Sequence, residues 1–479
     1  MSRKDVSLPL YLRVAQSLEK QIQKGAFSHG DQVPSVRELS RQHSVSISTV
    51  LQAYFWLENR GWIEARPKSG FYVRTPVENL NPEPAYRHVE SKPTPVETGE
   101  LILEVLQGGG RPIKVSLSAA CPSVDRMPTH KLNAIIRQLS RQAPNHSVAY
   151  ELPPGNLRLR RQIAKRSLLA GCNFVPDDIT ITCGAMEALN LCLRAIGKPG
   201  DVIATESPTY FSCLQAIESL GMKAVEIPTH SRTGMDLDAL ENAIRKHRVR
   251  GCMAITNCHN PLGYVLSDDR KRALAELLAR YEVPLIEDDV YGDLVFAPHR
   301  PRLAKSFDRN GLVMVCGSFS KTVSPGLRVG WIHTERYRAK IQQLKLITSV
   351  ASPSLPQLAV ASFLESGGYD RHLRSMRTVF EGQVHTVSRT IAKYFPEGTR
   401  VSRPEGGYIL WLELAKGTDS IKVYREALEE GIGILPGPVF SATGKFKNCI
   451  RLSCGGSWSN EMDRGLLKLG RICEAQGRA

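Results

Sequence analysis

The sequence predicts a multidomain chain in which a small helical module with a β-hairpin precedes a large α/β body and a smaller α+β subdomain. Three observations support this prediction. Apolar residues recur at helical spacing near the amino terminus, and two segments of alternating polarity follow. Residues 76–100 then carry five prolines and no periodic apolar pattern. From about residue 130 to 350, helical periodicity alternates with short apolar strands, which is typical of helices packed on a largely parallel sheet.

Composition favours a large soluble protein. The chain has 479 residues with 42% hydrophobic content, which is enough for a sizeable core. The amino terminus lacks the apolar stretch of a signal peptide, and no later run reaches the ~18 apolar residues of a membrane span. Eleven cysteines without a C-x-x-C pair predict reduced thiols rather than a disulfide or zinc framework. We therefore expect a cytoplasmic protein without a metal site.

The net charge is +16, from 63 basic and 47 acidic residues. Basic proteins often bind nucleic acid. Residues 1–75, however, hold 11 Lys or Arg and 6 Asp or Glu, so 11 − 6 = +5 of the excess lies there. Charge alone therefore does not locate a nucleic-acid surface.

The amino-terminal pattern predicts three helices. The first carries one apolar face and ends near Gly25. Its apolar positions are Tyr11, Val14, Ala15, Leu18 and Ile22. The second begins with a capping box formed by Ser35 and Glu38 and runs to about residue 42. The third has Ser46 as its N-cap and ends at residues 59–61.

Two alternating segments follow these helices, at residues 62–64 and 71–73, and they flank a basic turn at residues 66–70. This pattern predicts a hairpin wing. The motifs P-S-V-R-E-L-S at residues 34–40 and S-I-S-T-V at residues 46–50 resemble the winged helix-turn-helix of the GntR regulators. The resemblance covers about residues 9–74.

The GntR resemblance implies binding to double-stranded DNA, with the third helix entering the major groove. It implies hydroxyl contacts from Ser46, Ser48 and Thr49, and it places Arg37 and Lys68 near phosphates or groove edges. Position 47 departs from the usual pattern, because isoleucine stands where arginine is common. An apolar side chain there can touch a thymine methyl but cannot read guanine. The alternative is a winged-helix module used for protein contacts.

In the α/β body, Lys321 lies in the run G-S-F-S-K-T at residues 317–322, directly after the apolar strand 313–316. A lysine at a strand end contributes little to packing but can form an imine with an aldehyde cofactor. Upstream, the turn N-C-H-N-P-L-G at residues 257–263 follows another apolar strand, and E-D-D-V-Y at residues 287–291 ends a third. These patterns indicate pyridoxal phosphate.

The three strand ends, in this order, resemble the cofactor site of fold-type I aminotransferases, with N-P-x-G, D-x-x-Y and S-x-S-K motifs. The resemblance implies that Lys321 is the Schiff-base lysine and that Asp288 pairs with the pyridine nitrogen, so these two are the predicted catalytic residues. It implies that Asn260 and Tyr291 bind the ring oxygen. A carboxylate beside the ring nitrogen keeps the ring electron-withdrawing.

A phosphate cradle is also predicted. The strand 179–182 leads through Gly184, Ala185 and Met186 into an apolar-periodic helix, whose first backbone amides can hold an anion. By the same resemblance Ser318, Ser320 and Arg328 are further phosphate ligands.

Three more residues match the aminotransferase pattern. Tyr210 matches the residue that stacks on the ring, and Tyr150 matches one that reaches the neighbouring subunit's phosphate, which implies a homodimer. Arg451 matches the arginine that holds a substrate carboxylate with its two-pronged guanidinium. The alternatives are a core tyrosine for each aromatic residue and a strand-end salt bridge for the arginine.

A GntR-type module fused to an aminotransferase-like body is the architecture of the MocR regulators, and the chain resembles that family throughout. We expect a DNA-binding module at residues 1–75, a proline-rich linker at 76–100 and a fold-type I body at 101–479, with a large subdomain at about 130–350 and a small one at about 351–479. The function implied is a dimeric transcription regulator that binds pyridoxal 5'-phosphate and an amino acid or other amine as effector, and repeated DNA half-sites. Two alternatives stay open: a metabolic aminotransferase with an accessory amino-terminal domain, and a scaffold in which both sites are vestigial.

Overall fold

The computed structural model describes residues 9–23, 26–27, 31–66, 69–73, 81–87, 91–107, 112–142 and 144–478. The chain divides into two compact units. The first consists of residues 1–80 together with 381–393, and the second of residues 81–380 together with 394–479.

The first unit contains the three predicted helices and the predicted hairpin. They are α1 (Leu10–Gln23), α2 (Val36–His43), α3 (Ile47–Asn59), β1 (Ile63–Arg66) and β2 (Gly70–Val73). The hairpin strands pair antiparallel, and the apolar faces of the three helices close over a core of their own. The winged helix-turn-helix predicted from the sequence is therefore confirmed. Lys68, Gly25 and much of the wing turn lie outside the described residues.

Helix starts in this unit follow the predicted capping chemistry. The Ser35 hydroxyl accepts from the Glu38 amide at 3.2 Å, and the Glu38 carboxylate accepts from the Ser35 amide at 2.8 Å. Ser46 caps α3 by accepting from the Thr49 amide at 3.2 Å. Each cap satisfies amides that the helix cannot bond internally. Tyr54 anchors α3 because its buried hydroxyl donates to the Pro34 carbonyl.

The second unit is built on a large mixed sheet covered by helices. Its strands are β3 (Pro93–Pro95), β5 (Ile179–Thr182), β6 (Val202–Ser207), β7 (Lys223–His230), β8 (Gly234–Met235), β9 (Val249–Ala254), β10 (Leu285–Asp288), β11 (Val313–Ser318) and β12 (Gly330–His333). They run in the spatial order β3, β7, β6, β9, β10, β11, β12, β5, and β8 pairs with β7. The neighbours from β7 to β11 pair in parallel, and β3, β8, β12 and β5 pair antiparallel.

The central strands read as continuous apolar runs because both faces of the sheet are covered. The helices between α3 and the smaller subdomain supply much of that cover. They are α4 (Gly99–Gln107), α5 (Thr129–Gln142), α6 (Leu157–Ser167), α7 (Ala185–Ile196), α8 (Phe211–Ser219), α9 (Leu237–His247), α10 (Asp268–Arg280), α11 (Arg338–Ser349) and α12 (Ser354–Glu365). The long helix α13 (Gly368–Tyr394) follows them, and its residues 381–393 belong to the first unit. One core cluster joins Leu189 and Leu193 of α7 to Ile286 and Met314 of the sheet. The predicted fold-type I body is confirmed.

A smaller α+β subdomain completes the second unit. Its elements are β13 (Arg400–Val401), β14 (Ile409–Glu413), α14 (Ser420–Glu429), β15 (Ile432–Gly433), β16 (Leu435–Pro436), β17 (Cys449–Ser453) and α15 (Asn460–Arg478). A four-stranded sheet runs β13, β14, β17, β16. The strand β4 (Val115–Ser116) pairs in parallel with β15. A segment from early in the chain therefore belongs to this late subdomain.

The proline-rich segment differs from the flexible linker predicted over residues 76–100. Residues 93–95 form the edge strand β3 on β7, and Val96 lies in the core. Arg87 donates to the Glu413 carboxylate and to the Asn448 side chain, both at 2.7 Å. The sequence lacks an apolar period here because the attachment uses main-chain hydrogen bonds and ion pairs. Among the described part, residues 81–87 and 91–100 are thus bound to the second unit.

Within the described ranges, no helix is long and apolar enough to cross a membrane.

Candidate functional site

Three predicted residues follow neighbouring parallel strands. Asn260 comes after β9, Asp288 ends β10, and Lys321 follows β11, and these strands are adjacent in the sheet. Because parallel strands end at the same edge of a sheet, the three side chains lie at one edge. The order of the strands in the sheet therefore brings the centre of the site together.

Lys321 reaches toward a loop that the sequence did not single out. Its Nζ donates to the Ala120 carbonyl at 2.6 Å and lies 3.5 Å from the Cys121 thiol. Burial lowers the pKa of this amine, and the nearby Arg451 adds to the decrease. A lowered pKa increases the fraction of neutral amine, which is the form that attacks a carbonyl.

Asp288 is buried at the end of β10, where one oxygen accepts from the Val290 amide at 3.2 Å. Burial raises the pKa of this carboxyl to about 7. A cationic ring nitrogen would favour its charged form, since an opposite charge lowers the pKa of a buried acid. The position of Asp288 therefore suits a carboxylate that pairs with a positively charged ligand group.

Asn260 is 2% exposed, and its Oδ1 atom has no hydrogen-bond partner within the described chain. A buried oxygen left unpaired costs free energy, so an unmet acceptor here points to a ligand. His259 supports the turn, since its Nδ1 accepts from the Leu262 amide at 3.1 Å and its Nε2 lies 3.2 Å from the Glu206 carboxylate.

The residues of the predicted phosphate cradle come together. Ser318 and Ser320 share a hydroxyl contact of 2.9 Å, and Arg328 lies 3.5 Å from the Ser320 hydroxyl and 3.1 Å from the Cys183 carbonyl. Gly184 has a φ of +82°, and a Cβ there would collide with the Arg328 guanidinium. Glycine therefore keeps this cradle open.

The helix α7 starts at this cradle with Ala185 and Met186 as its first residues, and its N-cap makes no side-chain hydrogen bond. The first amides of a helix lack internal partners and attract anions. A helix start, two hydroxyls and a guanidinium together fit a phosphate group.

Of the two aromatic residues predicted at the ring, Tyr291 is buried and Tyr210 is half-buried. Tyr291 Oη lies 3.5 Å from the Ala120 carbonyl, and its ring packs edge-on against Tyr408 with centroids 5.7 Å apart. Tyr210 precedes α8, and burial raises the pKa of both Tyr210 and Tyr291. Both phenols are therefore neutral donors at physiological pH.

Arg451 lies on β17 and is 1% exposed. One guanidinium nitrogen donates to the Ser118 carbonyl, while Nε and Nη1 have no hydrogen-bond partner among the described residues. Burial lowers the pKa of this group, and no carboxylate of the described chain pairs with it in an ion pair. The strand-end salt bridge considered as an alternative is not observed. A buried guanidinium with two open donors fits a carboxylate ligand.

Tyr150 differs from the other predicted residues because its side chain is 80% exposed. The core alternative for this tyrosine is therefore excluded. Its contact with a second subunit stays a prediction.

Ala120, Cys121 and Tyr408 belong to the same site but were missed. Tyr408 Oη donates to the Ala120 carbonyl at 3.1 Å. This one carbonyl therefore accepts hydrogen bonds from Lys321, Tyr291 and Tyr408. The only local signals were small residues before a proline at 118–122 and two glycines before Tyr408. Neither signal specifies a partner.

In the first unit, three of the residues predicted to contact DNA lie at the start of α3, where Ser46 and Ser48 are exposed and Thr49 is half-buried. The Ser46 hydroxyl lies 2.8 Å from the hydroxyls of both Ser48 and Thr49, and Ile47 beside them is 49% exposed. Arg37 is exposed on α2. These side chains are accessible to a groove. Lys68 lies outside the described residues, and its role stays a prediction.

Comparison with known proteins matches both units. Residues 10–73 match the gntR family of bacterial regulatory proteins, and residues 113–469 match the aminotransferases of class I and II. An uncharacterized HTH-type transcriptional regulator of Escherichia coli, YjiR, is 37% identical over 96% of this chain and 98% of its own length. A second from the same organism, YdcR, is 36% identical over 97% of this chain and 99% of its own.

Among solved structures, the α-aminoadipate aminotransferase LysN of Thermus thermophilus, complexed with N-(5'-phosphopyridoxyl)-L-leucine, is 27% identical. It covers 78% of this chain and 94% of its own, with a TM-score of 0.73. The fold and the two motif-bearing units thus define a DNA-binding transcription regulator with an aminotransferase-like body. The chain belongs to the HTH-type regulators that join a gntR-family region to an aminotransferase class I and II region, as the MocR resemblance predicted.

Proposed function

We propose that this regulator binds pyridoxal 5'-phosphate at Lys321 and a carboxylate-bearing amine at Arg451, and that their binding alters its affinity for DNA. The observation that carries the proposal is the buried Arg451 guanidinium, whose Nε and Nη1 atoms lack partners in the described chain. A buried, unpaired donor pair is costly unless a ligand completes it.

The residues present fit the cofactor. Asp288 would pair with the ring nitrogen, Asn260 and Tyr291 with the ring oxygen, and Tyr210 with the ring face. Ser318, Ser320, Arg328 and the start of α7, from Gly184 to Met186, would hold the phosphate. When bound, pyridoxal phosphate withdraws electrons from the carbon next to the amine of its ligand. The open Oδ1 of Asn260 supports this arrangement, since a ring hydroxyl can donate to it.

Lys321 holds and releases a proton at Nζ. Its amine donates to the Ala120 carbonyl, and burial favours the neutral form. Whenever the lysine is not bonded to the cofactor, the Ala120 carbonyl would hold Nζ by this hydrogen bond of 2.6 Å.

A ligand can shift a regulator only through different affinities for two states. The carboxylate site on β17 belongs to the smaller subdomain, whereas Lys321 follows a strand of the large sheet. A ligand held by both groups therefore favours one relative position of the two subdomains. We propose that this relative position of the two subdomains is what changes the affinity of the protein for DNA.

The assembly proposed is a cytoplasmic homodimer on repeated half-sites. The exposed Tyr150, Val148 and Leu152 support a second copy, because their exposed fractions are 80%, 85% and 55%. A dimer presents two recognition helices and so favours repeated operators. Size measurement by light scattering, with Tyr150→Ala as the variant, tests this assembly.

The central experiment measures binding of the full-length protein to its own upstream DNA at fixed salt, with and without pyridoxal phosphate and a panel of amino acids. We expect selective binding over random duplex and a change in affinity with one carboxylate-bearing amine. Equal binding to both duplexes would exclude the regulator proposal at this operator. Absence of any visible cofactor absorbance would exclude the cofactor proposal.

A second candidate function is transamination by the same body. The presence of both Lys321 and Asp288, with an amine whose pKa burial lowers, supports it. The test is turnover of amino acid and keto acid by the full chain, with Lys321→Ala as the inactive control. Turnover unaffected by operator DNA would favour a metabolic role.

A further inference from the structure

A buried polar network joins the residues that directly follow the two central groups of the site. Thr322 follows Lys321 in the chain, and Asp289 follows Asp288. Between them lie Tyr369, Asp293 and Arg300. None of these five side chains has a role in the proposed ligand contacts.

At the lysine end, α13 holds Thr322 by two separate contacts. Tyr369, the second residue of α13, places its hydroxyl 2.9 Å from the Thr322 hydroxyl. His372, one turn later, places Nε2 2.8 Å from the Thr322 main-chain carbonyl. Thr322 and Tyr369 are 2% and 1% exposed. The residue after the lysine is therefore fixed through both its side chain and its backbone.

The network continues from Tyr369 to the aspartate end. The Tyr369 hydroxyl also lies 2.9 Å from a carboxylate oxygen of Asp293. Asp293 accepts from Arg300 Nε at 2.7 Å, and Arg300 makes an ion pair with Asp289. Burial opposes the charge on Asp293, but the Arg300 and Arg166 guanidinium groups hold the pKa of this carboxyl below its usual range. The links of Arg300 to Asp289 and Asp293 are therefore ion pairs, whereas the contact of Tyr369 with Thr322 is between two neutral hydroxyls.

Such a network could serve only to stabilise the fold, since a paired buried cluster satisfies its own charges. The network is, however, attached to Thr322, the residue next to Lys321, which indicates a second role. The Lys321 amine is held near its end by the Ala120 carbonyl and the Cys121 thiol, but a long lysine stem has many rotamers. Contacts on the neighbouring Thr322 restrict the backbone from which that stem begins. A reacting side chain must be held within about 0.5 Å of its productive position.

We infer that Tyr369 and His372 are positioning residues, which act through Thr322 to fix the lysine amine relative to the carboxylate of Asp288. The inference rests on the proposed binding of pyridoxal phosphate at Lys321. It extends the site to α13, a helix that supplies none of the residues proposed to hold the cofactor or the effector.

The test uses full-length Tyr369→Phe and Thr322→Val, each loaded with pyridoxal phosphate. Both variants keep the packed shape and remove a hydroxyl. The readouts are the dissociation constant of the cofactor and the visible circular dichroism per bound cofactor, which reports how firmly the ring is held. We expect about ten-fold weaker binding, as for the loss of one hydrogen bond of about 1.4 kcal/mol. The dichroism per bound cofactor should also fall.

Two matched controls separate positioning from folding. Thr322→Ser restores the hydroxyl, so it should recover both readouts. Tyr424→Phe removes another buried tyrosine hydroxyl, one that donates to the Glu104 carbonyl at 3.4 Å in the smaller subdomain, and should leave both readouts unchanged.

The outcomes are distinct. If Tyr369→Phe and Thr322→Val melt at lower temperature yet keep the wild-type affinity and dichroism, the network is structural only and the inference is wrong. If Tyr369→Phe fails to fold, the comparison of Thr322→Val with Thr322→Ser decides. If wild type and Lys321→Ala show the same visible absorbance, the proposed function fails first, independently of Tyr369.

Discussion

The amine of Lys321 and the carbonyl of Ala120 lie 2.6 Å apart, although 201 positions separate them in sequence. Lys321 follows a strand of the large sheet, whereas Ala120 follows β4, which pairs with β15 of the smaller subdomain. This hydrogen bond therefore joins the two parts of the body. Tyr408 donates to the same carbonyl at 3.1 Å, so the contact is reinforced from the smaller subdomain.

Lys321→Ala should abolish the visible absorbance of bound pyridoxal phosphate and leave the fold intact, because the lysine head group contributes little packing. Absorbance and thermal unfolding, measured on the same sample, check this expectation. Lys340→Ala, at an exposed lysine of α11, is the matched control and should bind the cofactor normally. Retention of the band in Lys321→Ala would show that another lysine binds the cofactor.

Asp288→Asn should change how stability depends on pH in the cofactor-free protein. The folded-state pKa of Asp288 is raised to about 7, so the folded protein binds its proton more tightly than the unfolded chain does. The stability from this group is complete below pH ~4 and is lost as pH rises toward ~7. The total is on the order of 4 kcal/mol.

Asparagine cannot titrate, so the melting temperature of Asp288→Asn relative to wild type should increase from pH 5 to pH 8. Thermal unfolding across that range measures the difference. A constant difference at all pH values would contradict the raised pKa. With pyridoxal phosphate present, the variant should bind the cofactor more weakly, since it lacks the charge that pairs with the ring nitrogen.

Arg451→Lys should weaken binding of a carboxylate-bearing effector by about ten-fold or more, because lysine keeps the charge but loses the two-pronged geometry. The measurement is titration of the cofactor spectrum with an amino acid. The corresponding amine without a carboxylate provides the control, and its affinity should not change. Equal losses for both ligands would indicate a general distortion of the pocket.

Arg37→Ala should reduce DNA affinity while cofactor uptake stays normal. If Arg37 contacts one phosphate, the slope of log affinity against log salt should fall by about 0.9. Lys422→Ala removes one positive charge from an exposed position of α14 and serves as the charge-matched control. Identical DNA binding by wild type and Arg37→Ala would remove this arginine from the interface.

Arg87→Ala should release the amino-terminal attachment of the body. Arg87 is bonded to Glu413 and Asn448, both at 2.7 Å, and Glu413 is 13% exposed. We expect faster proteolysis within residues 81–87 and a loss of about 1 kcal/mol in the free energy of unfolding. Arg425→Ala disrupts an exposed pair with Glu104 and should change neither.

Local chemistry made much of the fold predictable. Ser35 and Ser46 start helices where their caps predict, and β5 has the predicted bounds of residues 179–182. The linker was less predictable. Its prolines and mixed charges are typical of a flexible coil, yet Arg87 and residues 93–95 bind the body through specific long-range partners. No periodic pattern marks such contacts.

The sequence by itself determined the winged helix-turn-helix, the aminotransferase-like body and the strand-end positions of Asn260, Asp288 and Lys321. Caps, apolar periods and motif spacing depend on residues close together in the chain, so they can be read directly. Only the tertiary structure decided that Ala120 receives the lysine amine and that Tyr369 holds Thr322. Those pairs depend on how distant segments close around a shared core, and local spacing does not encode that closure.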